Sequence, residues 1–489
     1  MRPPAIARRL PRAPDRFTVV AGAVAAAGTL VTLAAALKFG FGALLLPIAA
    51  MAFVLLLRYP GPVLACAVGA VVFAETSEFA ILPQTGHLYD DLVKGFMPLD
   101  GLLVIAVAGT AAQLIQDRRP VRLPPAPLTL ALGLMALGLI SGILVGREAG
   151  VGVGDSLLQV HTFAYLAIAP LVAANLVVTA RDVKRVLAGA VVLGAIKALI
   201  GLFLVVSGRG VTVYDASVLT YYEPTANWIM TVAVLAIVAA ALARVRLPWW
   251  ALTAAPLMLA SLLLSYRRSF WIADLLGLAL VVLLGTSNNG RRVLLPAVVL
   301  VAAAIWSLGG IAVQSDTPLG QRVQSLSSSK IQAKPEDRYR LDERANVVAT
   351  LKQDPVTGLG FGVGWRATER PLPVEVNPDH EYVHFALLYW WLKLGILGLL
   401  AYLAFLGAGV VLSFGVWRGG TDPLFRAFGL GSMCSFAGLA VIETTATFTG
   451  PDPRMTLVLG AQLALLAVLW RSRVRRGDQA ASSDVIAVV

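Results

Sequence analysis

RDVKRVLAGAVVLGAIKALIGLFLVV, residues 181–206, decides the fold. Arg181, Lys184 and Arg185 open the stretch, and the apolar run that follows to Val206 is interrupted by one charge, Lys197. A helix of about 20 apolar residues crosses the roughly 30 Å of hydrocarbon in a bilayer, and this run has that length. It therefore reads as a transmembrane helix with a basic foot.

Runs of the same kind recur along the chain, near 17–37, 40–57, 61–81, 99–116, 125–146, 157–178, 227–243, 249–265, 270–285, 293–313, 383–416, 426–446 and 455–470. The run 383–416 reads as one long or one broken span. Composition agrees: 58% of residues are hydrophobic and 14% charged, with a mean hydropathy of +0.77, where a soluble chain carries about 25% charge. The expected fold is an all-α polytopic membrane protein of about 12–14 transmembrane helices, with one large extracytoplasmic loop containing short helices.

The basic foot of residues 181–185 has counterparts in Arg8/Arg9/Arg12/Arg16, Arg118/Arg119/Arg122, Arg244/Arg246, Arg291/Arg292 and Arg471/Arg473/Arg475/Arg476. With the runs taken as spans, all of these fall on one side. The positive-inside rule makes that side the cytoplasm and places both termini there. The net charge of +12 is then mostly a topological signal with some attraction to anionic lipid, and it does not indicate nucleic-acid binding. The run beginning at Phe17 resembles a signal peptide, but it is long and the alternation needs it as a span. Cys66 and Cys434 both lie in apolar runs, which indicates packing and no disulfide framework.

Four regions follow: residues 1–313 as the first part of the bundle, 314–382 as a large extracytoplasmic loop, 383–470 as the helices completing the bundle, and 471–489 as a cytoplasmic tail. A connection as long as 314–382 is functional more often than not. It contains a charged stretch, Arg338–Lys352, expected to be helical, and Gly358-Leu-Gly360-Phe-Gly362-Val-Gly364. No strand–turn–helix unit surrounds these glycines, so they read as a tight turn against the membrane surface and not as a dinucleotide fingerprint.

Arginines on the non-cytoplasmic side oppose the positive-inside bias and call for a reason. Arg267 and Arg268 sit where spans nine and ten meet with almost no loop. They either snorkel to lipid phosphates or form an anion site, to which guanidinium forks are suited. Arg338, Arg340 and Arg344 either pair with the acids of their own helix or present a basic face, Arg340 and Arg344 being four apart. His380 and His384 are also four apart. No third metal ligand accompanies them, and each is either a hydrogen-bonded bystander or a general base for a hydroxyl. Glu75, Glu78, His161, Lys197, Asp274, Lys393 and Glu443 lie within spans and must face the bundle interior. Tyr222, Glu223 and Asn227, in a polar aromatic stretch before the eighth span, are candidates for holding a sugar, with an aromatic belt as the plain alternative.

Three patterns in this order resemble the O-antigen ligase and O-antigen polymerase superfamily of lipid-linked glycan transferases, which are GT-C-like membrane glycosyltransferases. The first is Ser265-Tyr-Arg-Arg268-Ser-Phe-Trp271, with Arg267 where that family often has serine. The second is Tyr339-Arg340-Leu-Asp-Glu343 followed by the turn Asp354-Pro355-Val-Thr-Gly-Leu-Gly360-Phe-Gly362. The third runs from Val383-His384 to Gly395-Ile-Leu-Gly398, with Phe385 in place of the usual asparagine. Glu223-Pro-Thr-Ala-Asn227 is similar to a further, weaker motif.

The resemblance implies transfer of a glycan from undecaprenyl diphosphate to an acceptor hydroxyl on the outer face of a bacterial inner membrane, with inversion and without a metal or other cofactor. Arg268 and Arg340 would meet the diphosphate, with Arg267, Arg338 and Arg344 in support. His384 or His380 would take the acceptor's proton. The implied partners are a polyprenyl-diphosphate-linked glycan, a glycan or glycolipid acceptor and membrane lipid, and no nucleic acid. Two rivals remain: a polyprenyl-phosphate-sugar-dependent transferase using Asp90 or Asp91, and a flippase of lipid-linked glycans, which would be expected to show internal repeats.

Overall fold

The computed structural model describes residues 53–75, 83–91, 95–209, 211–213, 216–219, 223–286, 290–291, 335–373, 379–420 and 422–486. The expected spans 17–37 and 293–313 lie outside these residues, as do Tyr222 and Glu78. The described chain is helical apart from one two-stranded antiparallel hairpin, β1 (Val211–Val213) and β2 (Ala216–Leu219). Its helices are α1 (Pro60–Phe73), α2 (Pro98–Gln116), α3 (Ala126–Glu148), α4 (Val153–Asn175), α5 (Ala180–Val206), α6 (Pro224–Leu242), α7 (Trp249–Leu264), α8 (Arg268–Gly285), α9 (Pro335–Leu351), α10 (Ala386–Gly419), α11 (Pro423–Ile442) and α12 (Pro453–Ile486). Among the described residues, nine helices are long and apolar enough to cross a membrane, so the chain is a polytopic all-α membrane protein.

The chain divides into two compact units, residues 1–64 with 100–121, and residues 65–99 with 122–489. In the first, the Gln113 amide donates to the Arg58 carbonyl at 3.0 Å, tying α2 to the turn before Tyr59. The second holds the remaining helices.

In the second unit α6 and α11 are the most deeply buried, and α8 and α10 both pack on α11. Small residues set the spacing: a Cβ on Gly431 of α11 would lie 2.7 Å from the Ala236 nitrogen of α6. Close approach of this kind is how helices associate in lipid, where no hydrophobic force drives them together. Leu235, Ala239, Val281, Leu430 and Cys434 fill the seam. Cys66, by contrast, is exposed. A polar bridge crosses three helices, from the Trp228 indole to the Gln462 carbonyl oxygen (3.2 Å) and from the Gln462 amide to Ser435 (3.0 Å).

Of the intramembrane ionisable residues expected to face inward, Glu75, Lys197, Asp274, Lys393 and Glu443 are buried and His161 is half-buried. Lys197 pairs with Glu75 and also donates to the Phe73 carbonyl. Asp274 accepts from Thr231 at 2.7 Å, and Lys393 donates to the Val363 carbonyl at 2.8 Å.

The stretch read as one long or broken span is one helix with a break: Gly395 of α10 has φ 64° and ψ −157°. The glycine-rich turn fills that break. Gly358, Gly360 and Gly362 all have positive φ, which only glycine adopts without strain. The Leu359 N–H donates to the Leu392 carbonyl at 2.7 Å, and the Ile396 N–H to the Val356 carbonyl at 2.9 Å. The Phe361 N–H donates to the Gly142 carbonyl of α3 at 3.1 Å. The turn expected against the membrane surface is thus held by helix backbone. It is threaded between α3 and α10, where irregular backbone is tolerated because protein groups meet its hydrogen bonds.

Candidate functional site

Several helix ends converge around this turn, and α9 is laid across them. The helix was expected over Arg338–Lys352, and it runs from Pro335 to Leu351. Its buried residues are Asp337, Tyr339, Asp342, Glu343, Asn346, Val347, Thr350 and Leu351, a stripe at helical spacing. The stripe is rich in acids, whereas Arg338 and Arg344 are exposed. The acids thus point inward and meet cations and a histidine from elsewhere in the chain.

The Arg268 Nη2 donates to both Asp337 oxygens, at 2.6 and 2.9 Å. Arg340 Nη1 lies 3.7 Å from the same carboxylate. One aspartate therefore gathers the two arginines, which are 17% and 31% exposed at the side chain. Arg267 is the N-cap residue of α8 and Arg268 its first residue. Cations at the positive end of a helix dipole are unfavourable, so this end of α8 concentrates positive charge against one carboxylate. The turn between α7 and α8 is forced: Tyr266 has φ 53°, and the Ser265 hydroxyl donates to the Leu262 carbonyl at 2.7 Å. Arg267 lies over the Phe448 ring, 5.2 Å from its centroid.

Six residues after Asp337, about 9 Å further along the helix axis, Glu343 holds His384. Its Oε2 accepts the His384 main-chain N–H at 2.9 Å, and both carboxylate oxygens lie 3.1 Å from Nδ1. Glu343 is 1% exposed. A carboxylate acceptor at Nδ1 places the ring proton there and leaves the Nε2 lone pair available. The rings of Tyr382 and Tyr339 meet the imidazole edge-on, at 5.0 and 5.9 Å. The Tyr382 hydroxyl donates to the Thr447 carbonyl (2.8 Å) and accepts its N–H (2.9 Å). Burial holds this phenol above its ordinary pKa, so it remains a donor.

The remaining candidates have other partners. Arg338 pairs with Asp342 at 3.5 Å, and Arg370 reaches the other oxygen of Asp342 at 3.4 Å. Arg344 covers the Phe385 ring at 5.0 Å, so Phe385 serves as a platform for an arginine. His380, with φ 52°, stacks flat on Trp365 at 4.3 Å. Glu223 is bound to Arg454 at 2.5 Å, and the Asn227 amide donates to the Glu223 carbonyl at 3.2 Å. Both are buried, and Glu223 belongs to a structural ion pair with Arg454. His87 Nδ1 lies 2.6 Å from Asp90 on an exposed turn, and Asp91 accepts the Gly95 N–H. Among the described residues no three His, Cys, Asp or Glu side chains gather as metal ligands.

Sequence reasoning missed Asp337 and Glu343 as organisers, and missed the turn after α11. There, Glu443 Oε1 accepts the Thr449 N–H (2.7 Å) and hydroxyl (2.6 Å), and Oε2 accepts the Tyr402 hydroxyl (2.8 Å). That turn supplies Phe448 beneath Arg267 and Thr447 behind Tyr382. The 339/343/346/350 spacing of α9 was the one available signal for its inward face.

Fold and site together define a polytopic membrane protein with an arginine–carboxylate–histidine site between its helix ends and one amphipathic helix. Residues 231–403, about a third of the chain, match the O-antigen ligase family. The matched segment contains Arg268, Arg340, Glu343, His384 and the Gly395 break. It supports an O-antigen ligase/polymerase-like family and, at that level, transfer of a lipid-linked glycan to a glycan acceptor by a membrane enzyme. No curated protein matches the chain.

Proposed function

We propose that the protein is a polysaccharide polymerase or ligase that transfers a glycan from undecaprenyl diphosphate to an acceptor hydroxyl, with inversion at the anomeric carbon. The reading rests on the sharing of Asp337 by Arg268 and Arg340, with the Glu343–His384 pair on the same helix. The diphosphate sits against Arg268 and Arg340, with Arg267 nearby. As the bond from the anomeric carbon to the phosphate oxygen breaks, the leaving group takes the electron pair, and fixed guanidinium charges stabilise it without needing to reorganise. The acceptor oxygen attacks the opposite face, and its proton passes to His384 Nε2. Glu343 is oriented to stabilise the imidazolium so formed, as a carboxylate does behind a catalytic histidine.

His384 takes precedence over His380 in this scheme, because His380 has a ring stack where His384 has an orienting carboxylate. The lysine and arginine distribution supports an inner-membrane location with this site on the extracytoplasmic face, the termini in the cytoplasm, and residues 314–382 capping the sugar. Asp90 is paired on an exposed turn, which offers nothing to an anomeric centre.

The test is purified protein in nanodiscs supplied with lipid-linked glycan and a candidate acceptor. Wild type is expected to give polymer or conjugate with release of undecaprenyl diphosphate, and Arg268→Ala and His384→Ala to give neither. Turnover by both variants at the wild-type rate refutes the scheme, and dependence on Asp90 or Asp91 in their place supports the polyprenyl-phosphate-sugar mechanism.

A further inference from the structure

A cavity of about 170 Å³ lies between α5, α6, α7 and α11, and its Lys184 and Trp250 end is the end of these helices away from Arg268. On α6 its lining runs from Ile229 through Ala233 and Ala236 to Ala240, a stripe that rises about 16 Å at 1.5 Å per residue. Leu187 and Val191 of α5 form a facing wall, and no side chain in the slot is charged except Lys184, at one end. A narrow apolar slot of this length fits a single acyl chain.

The slot's end is basic. Lys184, half exposed, pairs with Asp422 at 2.7 Å. Arg185 lies 3.5 Å from Asp182. Arg181 and the exposed Arg244 and Arg246, in the turn leading to Pro248, add three further cations. Positive charge therefore exceeds negative where Leu247, Pro248 and Trp250 frame the slot. Trp249, 76% exposed beside them, is the residue type that marks a membrane–water boundary. A zwitterionic headgroup brings a cation of its own beside its phosphate and adds no net negative charge, whereas a net-anionic headgroup offsets these cations.

We propose that this slot holds one acyl chain of an anionic phospholipid, with its headgroup phosphate at Lys184 and the Arg244–Arg246 turn. The inference is independent of the transfer chemistry, since none of these residues touches the candidate active site.

The test is native mass spectrometry of the protein released from nanodiscs containing phosphatidylglycerol and phosphatidylcholine with identical acyl chains. The expected result is one retained phosphatidylglycerol, favoured by about fivefold or more over phosphatidylcholine, as one basic contact to an anionic headgroup provides. Lys184→Glu combined with Arg246→Glu should abolish the preference, and Ala188→Phe should displace both lipids by filling the slot. If Ala188→Phe does not fold, the charge-reversal variant decides the matter alone. Equal retention of the two lipids overturns the proposal, as does undiminished preference in the charge-reversed protein. Retention of added undecaprenyl phosphate in place of phosphatidylglycerol, or a dimer cross-linked through Ala188→Cys, assigns the slot to another occupant and equally overturns it.

Discussion

The carboxylate of Glu343 holds His384 at two points, accepting the main-chain N–H at 2.9 Å and facing the imidazole Nδ1 with both oxygens at 3.1 Å. Glu343 comes from an amphipathic helix and His384 from the entry to α10, so neither segment alone defines the ring's orientation.

For that reason Glu343→Gln should slow transfer even though it preserves shape. An amide at this position can donate to Nδ1 and stabilise the tautomer protonated at Nε2, which cannot act as a base. His384→Ala should lower kcat by about 10²–10⁴-fold, the usual contribution of a general base, and Glu343→Gln should fall in the same direction with KM little changed. Initial rates in nanodiscs, with thermal midpoints as a folding control, measure both. Wild-type kcat in Glu343→Gln rules out the orienting role.

Arg268→Ala should destabilise the protein as well as inactivate it, because it leaves the buried Asp337 with only the more distant Arg340. Breaking a buried ion pair from one side costs about 3–5 kcal/mol, whereas removing both partners costs far less. Arg268→Ala/Asp337→Ala should therefore regain most of the lost thermal midpoint while remaining inactive. A double variant no more stable than Arg268→Ala contradicts the pairing.

Gly360→Ala should loosen the threaded turn. Its Cβ would lie 2.2 Å from the Gly146 nitrogen, at a φ of 81°. Overpacking and backbone strain each cost about 1–3 kcal/mol, and the expected readouts are a lower thermal midpoint and protease cleavage between Asp354 and Arg366. Gly154→Ala, where nothing lies within 4 Å of the added carbon, is the matched control and should change neither.

Glu223→Gln separates two readings of that residue. As the partner of Arg454 it should lower stability and leave the KM for the glycan donor unchanged. A rise in KM at unchanged thermal midpoint would return Glu223 to the sugar-binding role that its sequence context suggested.

Tyr382→Phe removes the hydroxyl that meets both main-chain polar groups of Thr447. An unmet buried polar group costs about 1–3 kcal/mol, so the thermal midpoint should fall. Activity measured well below that midpoint should be nearly retained, since the edge-on ring against His384 is kept.

Nine of the expected spans were legible in the sequence among the described residues, because lipid imposes a length and a composition on any segment that crosses it, as residues 181–206 illustrate. The inward facing of Lys197, Asp274 and Lys393 was legible for the same reason: an ionisable group cannot be left in hydrocarbon. Arg268, Arg340 and His384 stood out as candidates because their charge opposed the topology or their type suited proton transfer. Their partners did not stand out. Asp337 and Glu343 lie among arginines in sequence, and local pairing along one helix accounts for them equally well until that helix is docked.

What the sequence determined by itself was the kind of solvent this chain folds in, the positions of most helices and the residue types available for chemistry. Each of these follows from local composition acting over one helix length. Tertiary structure alone decided that α9 turns its acids inward, that Asp337 joins Arg268 to Arg340, and that Glu343 fixes His384. It also decided that the glycine turn enters the break at Gly395 and that Glu223 belongs to Arg454. These contacts join segments up to about 230 residues apart, and each depends on which of several chemically equivalent partners packing brings within hydrogen-bond reach.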